Sequence, residues 1–266
     1  MTGPLVIKLG GELIETPASR SAFAAMVLSL QQSRPLVVVH GGGRAIDAEL
    51  ARRGITPKKR DGIRITDAAT LEAVVAVLAG TANTDLVAAL VNLGIRAVGL
   101  TGVDAGMGQA TIEHPDLGLV GDPAEVDPSL VELLMTQGYV PVVASLGIER
   151  GAAGAGILNI NADVMACRLA AALGAELIIA GTTAGVLDNS GTLLPTLTLT
   201  DIAALINDGT ATTGMVAKLR ACQVALEEGV PDVRLVDGRA FGAGIDPAQL
   251  PGSTLTREAA REIVKV

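Results

Sequence analysis

The chain has 266 residues, of which 49% are hydrophobic, so it can bury the core of one large α/β domain or of two smaller ones that share a sheet. A formal net charge of −8 and only three aromatic residues argue against a nucleic-acid partner, which needs a basic surface and rings that stack on bases. Both cysteines lack metal-ligand spacing, and apolar runs such as residues 37–39 are too short to span a bilayer. We therefore expect a cytoplasmic protein with reduced thiols and no membrane segment.

The first predicted strand ends in a pair of glycines. Residues 5–9 form an apolar run that is typical of a strand covered on both faces, and Lys8 is its one charge. Gly10 and Gly11 follow directly, and glycine lets the backbone bring its N–H groups close to an anion. Two interpretations stand: a strand whose lysine reaches solvent at its end, or one wall of a phosphate site.

A helix over residues 19–32 and a strand over 35–39 complete a βαβ unit. The strand runs into His40 and three glycines, and the next predicted helix, 45–53, begins directly behind them. A second anion site at this helix N-terminus is therefore possible. His40 is either a catalytic base or a strand-end residue that hydrogen-bonds locally, and the absence of a nearby Ser, Cys or metal partner favours the second.

Residues 58–66 read as a loop and a short strand, followed by a helix over 67–79 that Thr66 caps, and by a further helical stretch over 83–93. Arg64 lies between two isoleucines, so its side chain points away from theirs. It is either an ordinary surface arginine on a half-exposed strand or a two-donor fork for a carboxylate.

The middle of the chain returns to strands at 95–100 and 139–144, with loops and a hairpin over 101–127 expected at the rim of the sheet and a turn at 151–156. Three polar residues then fall within five positions: Asn159, Asn161 and Asp163. Asn161 is a suitable N-cap for the helix that follows, and Asp163 lies in the first turn of that helix. N-capping of this helix does not by itself require three polar residues within five positions.

From residue 175 the pattern restarts with a strand, a loop over 182–194, a short helix after Thr200, a helix over 214–228 and a strand over 233–236. Because no Pro- or Ser-rich spacer separates the halves, we expect two lobes on one continuous sheet, divided near Gly174. Lys218 lies one turn into the long helix, where by itself it would be a surface lysine.

Two glycine-lined strand ends, two lysines and one carboxylate between them fit phosphoryl transfer, in which catalysis consists mainly of positioning and charge neutralisation. The chain has neither a G-x-x-x-x-G-K-[ST] loop nor the protein-kinase motifs. A dinucleotide-binding oxidoreductase is the rival, but the glycines after His40 lack the G-x-G-x-x-G order.

Six segments, in order, resemble the amino-acid kinase family, and they cover the chain from the first strand to about Glu228. They are Lys8-Leu-Gly-Gly11, His40-Gly-Gly-Gly43, Gly62-Ile-Arg-Ile-Thr66, Leu78-Ala-Gly-Thr-Ala-Asn83, Asn159-Ile-Asn-Ala-Asp163 and Gly214-Met-Val-Ala-Lys218. The resemblance implies an α/β fold, a three-layer αβα sandwich with a central, mostly parallel sheet. It also implies that lobe 1–174 binds an acyl amino acid and makes the dimer contact, whereas lobe 175–266 binds ATP.

Within the family, the motifs resemble those of members that transfer the γ-phosphate of ATP to the side-chain carboxylate of N-acetyl-L-glutamate in arginine synthesis. Carried over by motif, Lys8 and Lys218 stabilise the transferring phosphoryl group and Asp163 orients both lysines. The resemblance places Gly42, Gly43, Arg64 and Asn159 at the acyl amino acid, and Lys8, Gly10, Gly11, Thr182, Gly185, Val186, Leu187 and Lys218 at ATP. Mg²⁺ would be held mostly by ATP and water, because no paired-carboxylate motif stands out.

Two positions depart from the family pattern. Thr182 stands where members commonly have Asp, and Gly252-Ser253-Thr254 replaces the usual Gly-Thr pair, so that segment receives no role. The chain begins close to its first strand, which leads us to expect a homodimer that arginine does not inhibit. Two alternatives remain: a related kinase that acts on a carrier-linked aminoadipate, and a non-catalytic amino-acid or nucleotide sensor. The net charge of −8 argues against the first, and the presence of both lysines with Asp163 argues against the second.

Overall fold

The computed structural model describes residues 3–151, 156–211 and 213–257 of the chain. The strands are β1 (Leu5–Leu9), β2 (Leu36–His40), β3 (Lys59–Arg60), β4 (Ile63–Arg64), β5 (Ala97–Thr101), β6 (Gly108–Ile112), β7 (Val120–Val126), β8 (Val140–Ala144), β9 (Leu146–Glu149), β10 (Ile157–Ile160), β11 (Glu176–Gly181), β12 (Thr196–Thr198), β13 (Asp232–Asp237) and β14 (Gly252–Thr256). The α-helices are α1 (Pro17–Leu30), α2 (Gly43–Arg52), α3 (Ala68–Val75), α4 (Asn83–Val91), α5 (Ser129–Thr136), α6 (Ala162–Leu173), α7 (Leu199–Asn207) and α8 (Thr213–Glu227). Most of the predicted turn at 151–156 lies outside the described residues.

Strand β1 lies inside an eight-stranded sheet of order β12-β14-β13-β11-β1-β2-β8-β5, in which β13 and β14 form the one antiparallel pair. Successive side chains of a strand point to opposite faces. Val6 accordingly packs with α6 and α8, whereas Leu5, Ile7 and Leu9 pack with α1 and α4. Helices thus cover both faces, which confirms the three-layer αβα prediction.

The alternation along β1 also fixes the direction of Lys8. Lys8 lies two positions after Val6 and therefore points to the face that α6 and α8 cover. Strand β11, the first of the second half, pairs in parallel with β1, from Leu5 opposite Glu176 to Leu9 opposite Ala180. The sheet is continuous between the two halves, and the division into lobes at residue 174 stays a prediction.

The hairpin predicted within residues 101–127 exists as β6 and β7, and it does not pair with the main sheet. Together with β9 and β10 these strands close a separate four-stranded barrel. Strand β10 joins this barrel by pairing with β7 and β9, and it leads directly into α6. The barrel therefore positions Asn159 and the N-terminus of the helix that carries Asp163.

The helix after β4 begins one residue later than predicted. Asp67, not Thr66, is its N-cap, because the Asp67 carboxylate accepts the Thr70 N–H. Beyond α3 the chain continues through a π-helical segment, Ala76–Ala82, directly into α4. The two predicted helices are therefore one continuous helical stretch with a widened turn in its middle.

That continuous stretch, Ala68–Val91, is long and apolar enough to cross a membrane by length and composition, and it is the one such stretch among the described residues. It is longer than the apolar runs considered in the sequence. Core helices of proteins without membrane segments pass the same test, so the stretch is weak evidence for a span.

Candidate active site

Lys8, Asp163 and Lys218 meet at the carboxyl ends of the central strands. Asp163 Oδ1 lies 2.7 Å from Lys8 Nζ, and both Asp163 oxygens lie 3.1 Å from Lys218 Nζ. The three side chains are 9%, 14% and 18% exposed in chain order, which contradicts the interpretation of either lysine as a surface residue. We call this group the lysine clamp. Helix α6, capped by Asn161 through the Asp163 and Val164 N–H groups, sets the position of its carboxylate.

The charges of the lysine clamp perturb one another. Although burial by itself raises the pKa of the Asp163 carboxyl, Lys8 and Lys218 hold that pKa well below its usual range. Burial lowers the pKa of Lys8, and the positive charge of Lys218 adds to this effect. For Lys218 burial also lowers the pKa, but attraction by Asp163 outweighs it and leaves the pKa above its usual value. Two ammonium groups on one carboxylate give the clamp a net positive charge that suits a phosphoryl group.

The two glycine turns pack against each other next to the lysine clamp. A Cβ on Gly11 would lie 2.9 Å from the Gly43 nitrogen, and a Cβ on Gly42 would lie 3.0 Å from Leu78 of the π-helical segment. Open space surrounds the Cβ position of Gly43, which begins α2. Gly11 and Gly43 are each the first residue of a helix, so their N–H groups have no hydrogen-bond partner within that helix.

Gly10 does not present its N–H group to a ligand. That N–H donates to the carbonyl oxygen of Ala180 at 2.9 Å, which fastens the end of β1 to β11. The prediction that Gly10 and Gly11 both offer backbone donors to phosphate is therefore wrong for Gly10.

Arg64 is buried, with 7% of its side chain exposed, so it is not the surface arginine of the first interpretation. Its Nη2 donates to the Gly43 carbonyl oxygen at 3.2 Å. The Arg64 carbonyl oxygen accepts from Thr66 Oγ1 at 2.9 Å, and Asn159 Nδ2 donates to that hydroxyl at 3.1 Å. The contacts thus connect three of the predicted substrate residues, and Gly42 is the chain neighbour of Gly43.

A cavity of about 170 Å³ lies beside the predicted ATP loop. Gly185, Val186 and Leu187, three residues of the predicted ATP site, line it, whereas Thr182 is exposed and does not. Sequence reasoning missed five further lining residues, Thr183, Leu205, Thr210, Ala211 and Met215. One signal was available: Met215 precedes Lys218 by three residues, about one helical turn, so both side chains lie along adjacent parts of α8.

Ser253, which received no role from sequence reasoning, fastens the predicted ATP loop. Its hydroxyl accepts the Val186 N–H at 2.8 Å and donates to the Leu194 carbonyl oxygen at 2.6 Å. The side chain is fully buried. A Cβ on Gly185, whose φ is +138°, would lie 2.6 Å from this hydroxyl, so glycine is required there on both counts.

We expect Ser253→Ala to lower the free energy of unfolding by about 1–3 kcal/mol, because it leaves the buried Val186 N–H without an acceptor. The KM for ATP should rise while the KM for the acyl amino acid stays unchanged. Urea unfolding and steady-state kinetics measure both effects. Ser190→Ala, at an exposed serine of the same loop, is the matched control. Equal free energies of unfolding and equal KM values for ATP in the two variants would show that Ser253 does not stabilise the predicted ATP loop.

His40 is a buried, neutral residue that hydrogen-bonds locally. Its Nδ1 lies 3.1 Å from the Gly41 carbonyl oxygen, which can only accept, so Nδ1 carries the proton. Nε2 then accepts from Asn83 Nδ2 at 3.0 Å, and the same amide donates to the Val142 carbonyl oxygen. This arrangement fits the strand-end interpretation and links the second glycine turn to α4.

Burial lowers the pKa of His40 from its ordinary 6.5 to about 4. The unfolded chain therefore binds a proton at this residue below pH 6.5, whereas the folded chain does so only near pH 4. We expect the free energy of unfolding to fall by up to about 3 kcal/mol between these values, since one pKa unit corresponds to about 1.4 kcal/mol. Urea unfolding of wild type and His40→Gln from pH 7 to pH 4.5 tests this. The variant should be less stable at pH 7 but less sensitive to acid; equal slopes would contradict the assignment.

A larger cavity, of about 660 Å³, lies beside the lysine clamp, between the β3–β4 hairpin, the barrel and helices α6 and α8. Its lining residues include Asp61, Glu113 and Asp122, together with Arg168 of α6 and Arg220 of α8. Among the described residues no group of three or more His, Cys, Asp or Glu side chains is arranged to hold a metal ion. We therefore assign no protein ligand to Mg²⁺.

Comparison with known proteins identifies the fold and the family. The amino acid kinase family model matches residues 3–237. The chain belongs to the amino acid kinase family.

Two kinds of relative agree with this membership. An acetylglutamate kinase of Solibacter usitatus is 42% identical over 241 residues, which cover 90% of this chain and 93% of the relative. A solved protein of Streptococcus mutans is 26% identical with a TM-score of 0.81, covering 97% of this chain and all of that one. The N-acetylglutamate synthase of Neisseria gonorrhoeae, solved with coenzyme A and N-acetyl-glutamate, is 25% identical with a TM-score of 0.83. This similarity covers 97% of the chain but 60% of the synthase.

Proposed function

We propose that the chain is an acetylglutamate kinase, which transfers the γ-phosphate of ATP to the side-chain carboxylate of N-acetyl-L-glutamate. The observation that carries the proposal is the lysine clamp, in which residues from β1, α6 and α8 converge in a family of kinases. Relatives that share about 40% identity over most of the chain bear the name acetylglutamate kinase. The activity fits a biosynthetic, cytoplasmic enzyme of the arginine pathway.

The reaction forms one bond and breaks one. A side-chain carboxylate oxygen of N-acetylglutamate attacks the γ-phosphorus, the bond between that phosphorus and the bridging oxygen of ADP breaks, and ADP leaves with the electron pair. Because the attacking carboxylate is already ionised, the step requires no general base. This agrees with a neutral, buried His40 that takes no part in proton transfer.

Each part of the site has a role in this reaction. Lys8 and Lys218 stabilise the negative charge of the phosphoryl group as it moves, and Asp163 keeps the two ammonium groups close despite their repulsion. The Gly11 and Gly43 N–H groups bind phosphate and carboxylate oxygens. Arg64 and Asn159 bind the acyl amino acid, and the 170 Å³ cavity accepts the base of ATP. Mg²⁺, when bound with ATP, neutralises phosphate charge.

Trapping of the acyl phosphate tests the proposal. Hydroxylamine converts an acyl phosphate into a hydroxamate, which forms a coloured complex with added ferric ion, so the purified protein is incubated with ATP, Mg²⁺, hydroxylamine and one acceptor. We expect hydroxamate with N-acetyl-L-glutamate and none with L-glutamate or L-aspartate. Activity on a carrier-linked aminoadipate alone would favour the related kinase. Absence of product with every acceptor would favour a sensor.

A second copy of this chain is the proposed partner. The apolar stretch Ala68–Val91 leaves Val91 51% exposed, with Leu93 beside it at 41%. An almost wholly apolar groove also runs along α3 between Leu71, Val75 and Ile157. Burial of these side chains against the same stretch of another copy would remove them from water. Light scattering on the eluting protein should give twice the chain mass, independent of arginine; a monomer or a hexamer would contradict this.

A further inference from the structure

Asp47 contacts Arg64, the arginine that is proposed to bind the acyl amino acid. It lies on α2, four residues after Gly43, and its Oδ1 is 2.5 Å from Arg64 Nη2. Its Oδ2 is 3.1 Å from Lys59 Nζ. Lys59 and Arg64 are paired directly across the β3–β4 hairpin, so one carboxylate on α2 contacts both residues of a cross-strand pair.

These contacts hold one side of the guanidinium and leave the other available. Nη2 donates to the Gly43 carbonyl oxygen and forms an ion pair with Asp47 Oδ1, a buried oxygen that has no hydrogen-bond partner of its own. Nη1 is buried and has no hydrogen-bond partner. A buried donor without an acceptor is costly, and it is a common mark of a position that a ligand oxygen completes. The Asp47 contact therefore determines which donor Arg64 offers and in which direction.

The hairpin is attached on one side of Arg64 by Thr66, which bonds the backbone of residues 117 and 119 and the Asn159 amide. Strands β3 and β4 contain two residues each and pair only with one another within the described residues. Further along, Arg60 forms an ion pair with Asp116, but both side chains are more than half exposed, so that pair contributes little. Asp47, together with the Gly43 carbonyl oxygen, links the hairpin to the helix that begins at the second glycine turn.

We propose that Asp47 is a positioning residue for recognition of the substrate α-carboxylate, acting through Arg64. The inference rests on the proposed function, because it takes N-acetylglutamate as the substrate that Arg64 binds. Asp47 does not contact the reacting atoms. It orients the guanidinium so that Nη1 and the substrate carboxylate can form a charge-assisted hydrogen bond.

The sign of the effect separates positioning from simple electrostatics. Asp47, Lys59 and Arg64 together carry one net positive charge. Asp47→Asn raises this to two, so attraction alone would strengthen binding of an anionic substrate and lower its KM. Loss of orientation acts in the opposite direction, because the freed guanidinium adopts conformations that do not meet the carboxylate.

The test compares two acceptors in wild type and Asp47→Asn. One is N-acetyl-L-glutamate, and the other is 4-acetamidobutanoate, which keeps the acetamide and the phosphate-accepting carboxylate but lacks the α-carboxylate. We expect the KM for N-acetyl-L-glutamate to rise about tenfold, the size of one lost charge-assisted hydrogen bond, with kcat within about twofold. The KM for 4-acetamidobutanoate should not change.

Two further variants complete the design. Asp116→Asn removes an exposed carboxylate that also pairs with the hairpin, and it should leave both KM values unchanged. Asp47→Glu keeps the charge but moves it by one methylene, and it should raise the KM for N-acetyl-L-glutamate selectively. It serves in place of Asp47→Asn if that variant does not fold.

A lowered or unchanged KM for N-acetyl-L-glutamate, or equal rises for both acceptors, would overturn the role of Asp47. A wild-type protein that forms no product from N-acetyl-L-glutamate would overturn the proposed function instead. The two failures are therefore distinguishable.

Discussion

Lys8→Ala and Lys218→Ala are each expected to lower kcat by about 10²–10³, the loss seen when one preorganised donor to developing charge is removed. The reason is geometric. Each ammonium contacts the same Asp163 carboxylate, one from strand β1 and the other from α8, so each variant leaves a single positive charge beside the moving phosphoryl group. Steady-state rates of hydroxamate formation measure the effect.

Matched variants separate catalysis from folding. Lys8→Met keeps most of the side-chain volume inside the central strand and should lose as much activity as Lys8→Ala. Arg52→Ala removes a positive charge from a side chain that is 76% exposed and pairs with Glu49, not with the lysine clamp. This variant should keep wild-type turnover. If a folded Lys8 or Lys218 variant kept a near-normal kcat, that lysine would not have the proposed role in phosphoryl transfer.

Asp163→Asn is expected to lower the free energy of unfolding by about 3–5 kcal/mol, because it removes the partner of two buried ammonium groups. The carboxylate is 14% exposed and contacts both lysines, so neither charge has another acidic partner at comparable distance within the clamp. Urea unfolding of the variant at pH 7 measures the loss. Turnover should fall as well, since the two lysines then repel one another.

The pH dependence of Asp163→Asn gives a sharper test. Without the carboxylate, burial and mutual repulsion lower the pKa of Lys8 further in the folded chain, and the pKa of Lys218 loses the attraction that holds it above its usual value. The unfolded chain then binds more protons than the folded chain, so stability rises with pH. We expect the deficit against wild type to shrink between pH 7 and pH 10. A deficit that is constant or grows over this range would show that the loss has another cause.

Much of the lysine clamp could be predicted from the sequence. The apolar run around Lys8 indicated a strand buried on both faces, and period-two alternation places Lys8 on the face of Val6. Asn161 caps α6 as predicted, which fixes Asp163 in its first turn. The contact of Lys218 with Asp163 could not be predicted from local patterns of this kind. Fifty-five residues separate it from Asp163, and only the resemblance to a family indicated their contact.

Local sequence patterns gave wrong predictions where two residues suit the same role and tertiary contacts determine which of them takes it. Thr66 and Asp67 are both good N-caps, but the Thr66 hydroxyl is already used by the Arg64 carbonyl and the Asn159 amide. Asp67 therefore caps α3. Gly10 is a similar case, since nothing in the sequence shows that Ala180 takes its N–H.

The residues that sequence reasoning missed act through contacts with distant parts of the chain. Asp47 has the pattern of an ordinary polar residue on a surface helix, and its meaning depends on the β3–β4 hairpin. Ser253 lies 67 residues from Val186, whose N–H it accepts. Barrel closure likewise depends on pairing of β7 with β10 across intervening elements. None of these pairings leaves a periodic signal in the sequence.

The central claim is that this chain joins the γ-phosphate of ATP to a side-chain carboxylate oxygen of N-acetyl-L-glutamate. The most direct measurement uses N-acetyl-L-glutamate with ¹⁸O in both side-chain carboxylate oxygens, with hydroxylamine as the trap. Hydroxylamine attacks the carbonyl carbon of the acyl phosphate and releases phosphate with the bridging oxygen. Mass spectrometry should therefore find one ¹⁸O atom in each released phosphate. Unlabelled phosphate, as from hydrolysis of ATP by water, would contradict the account.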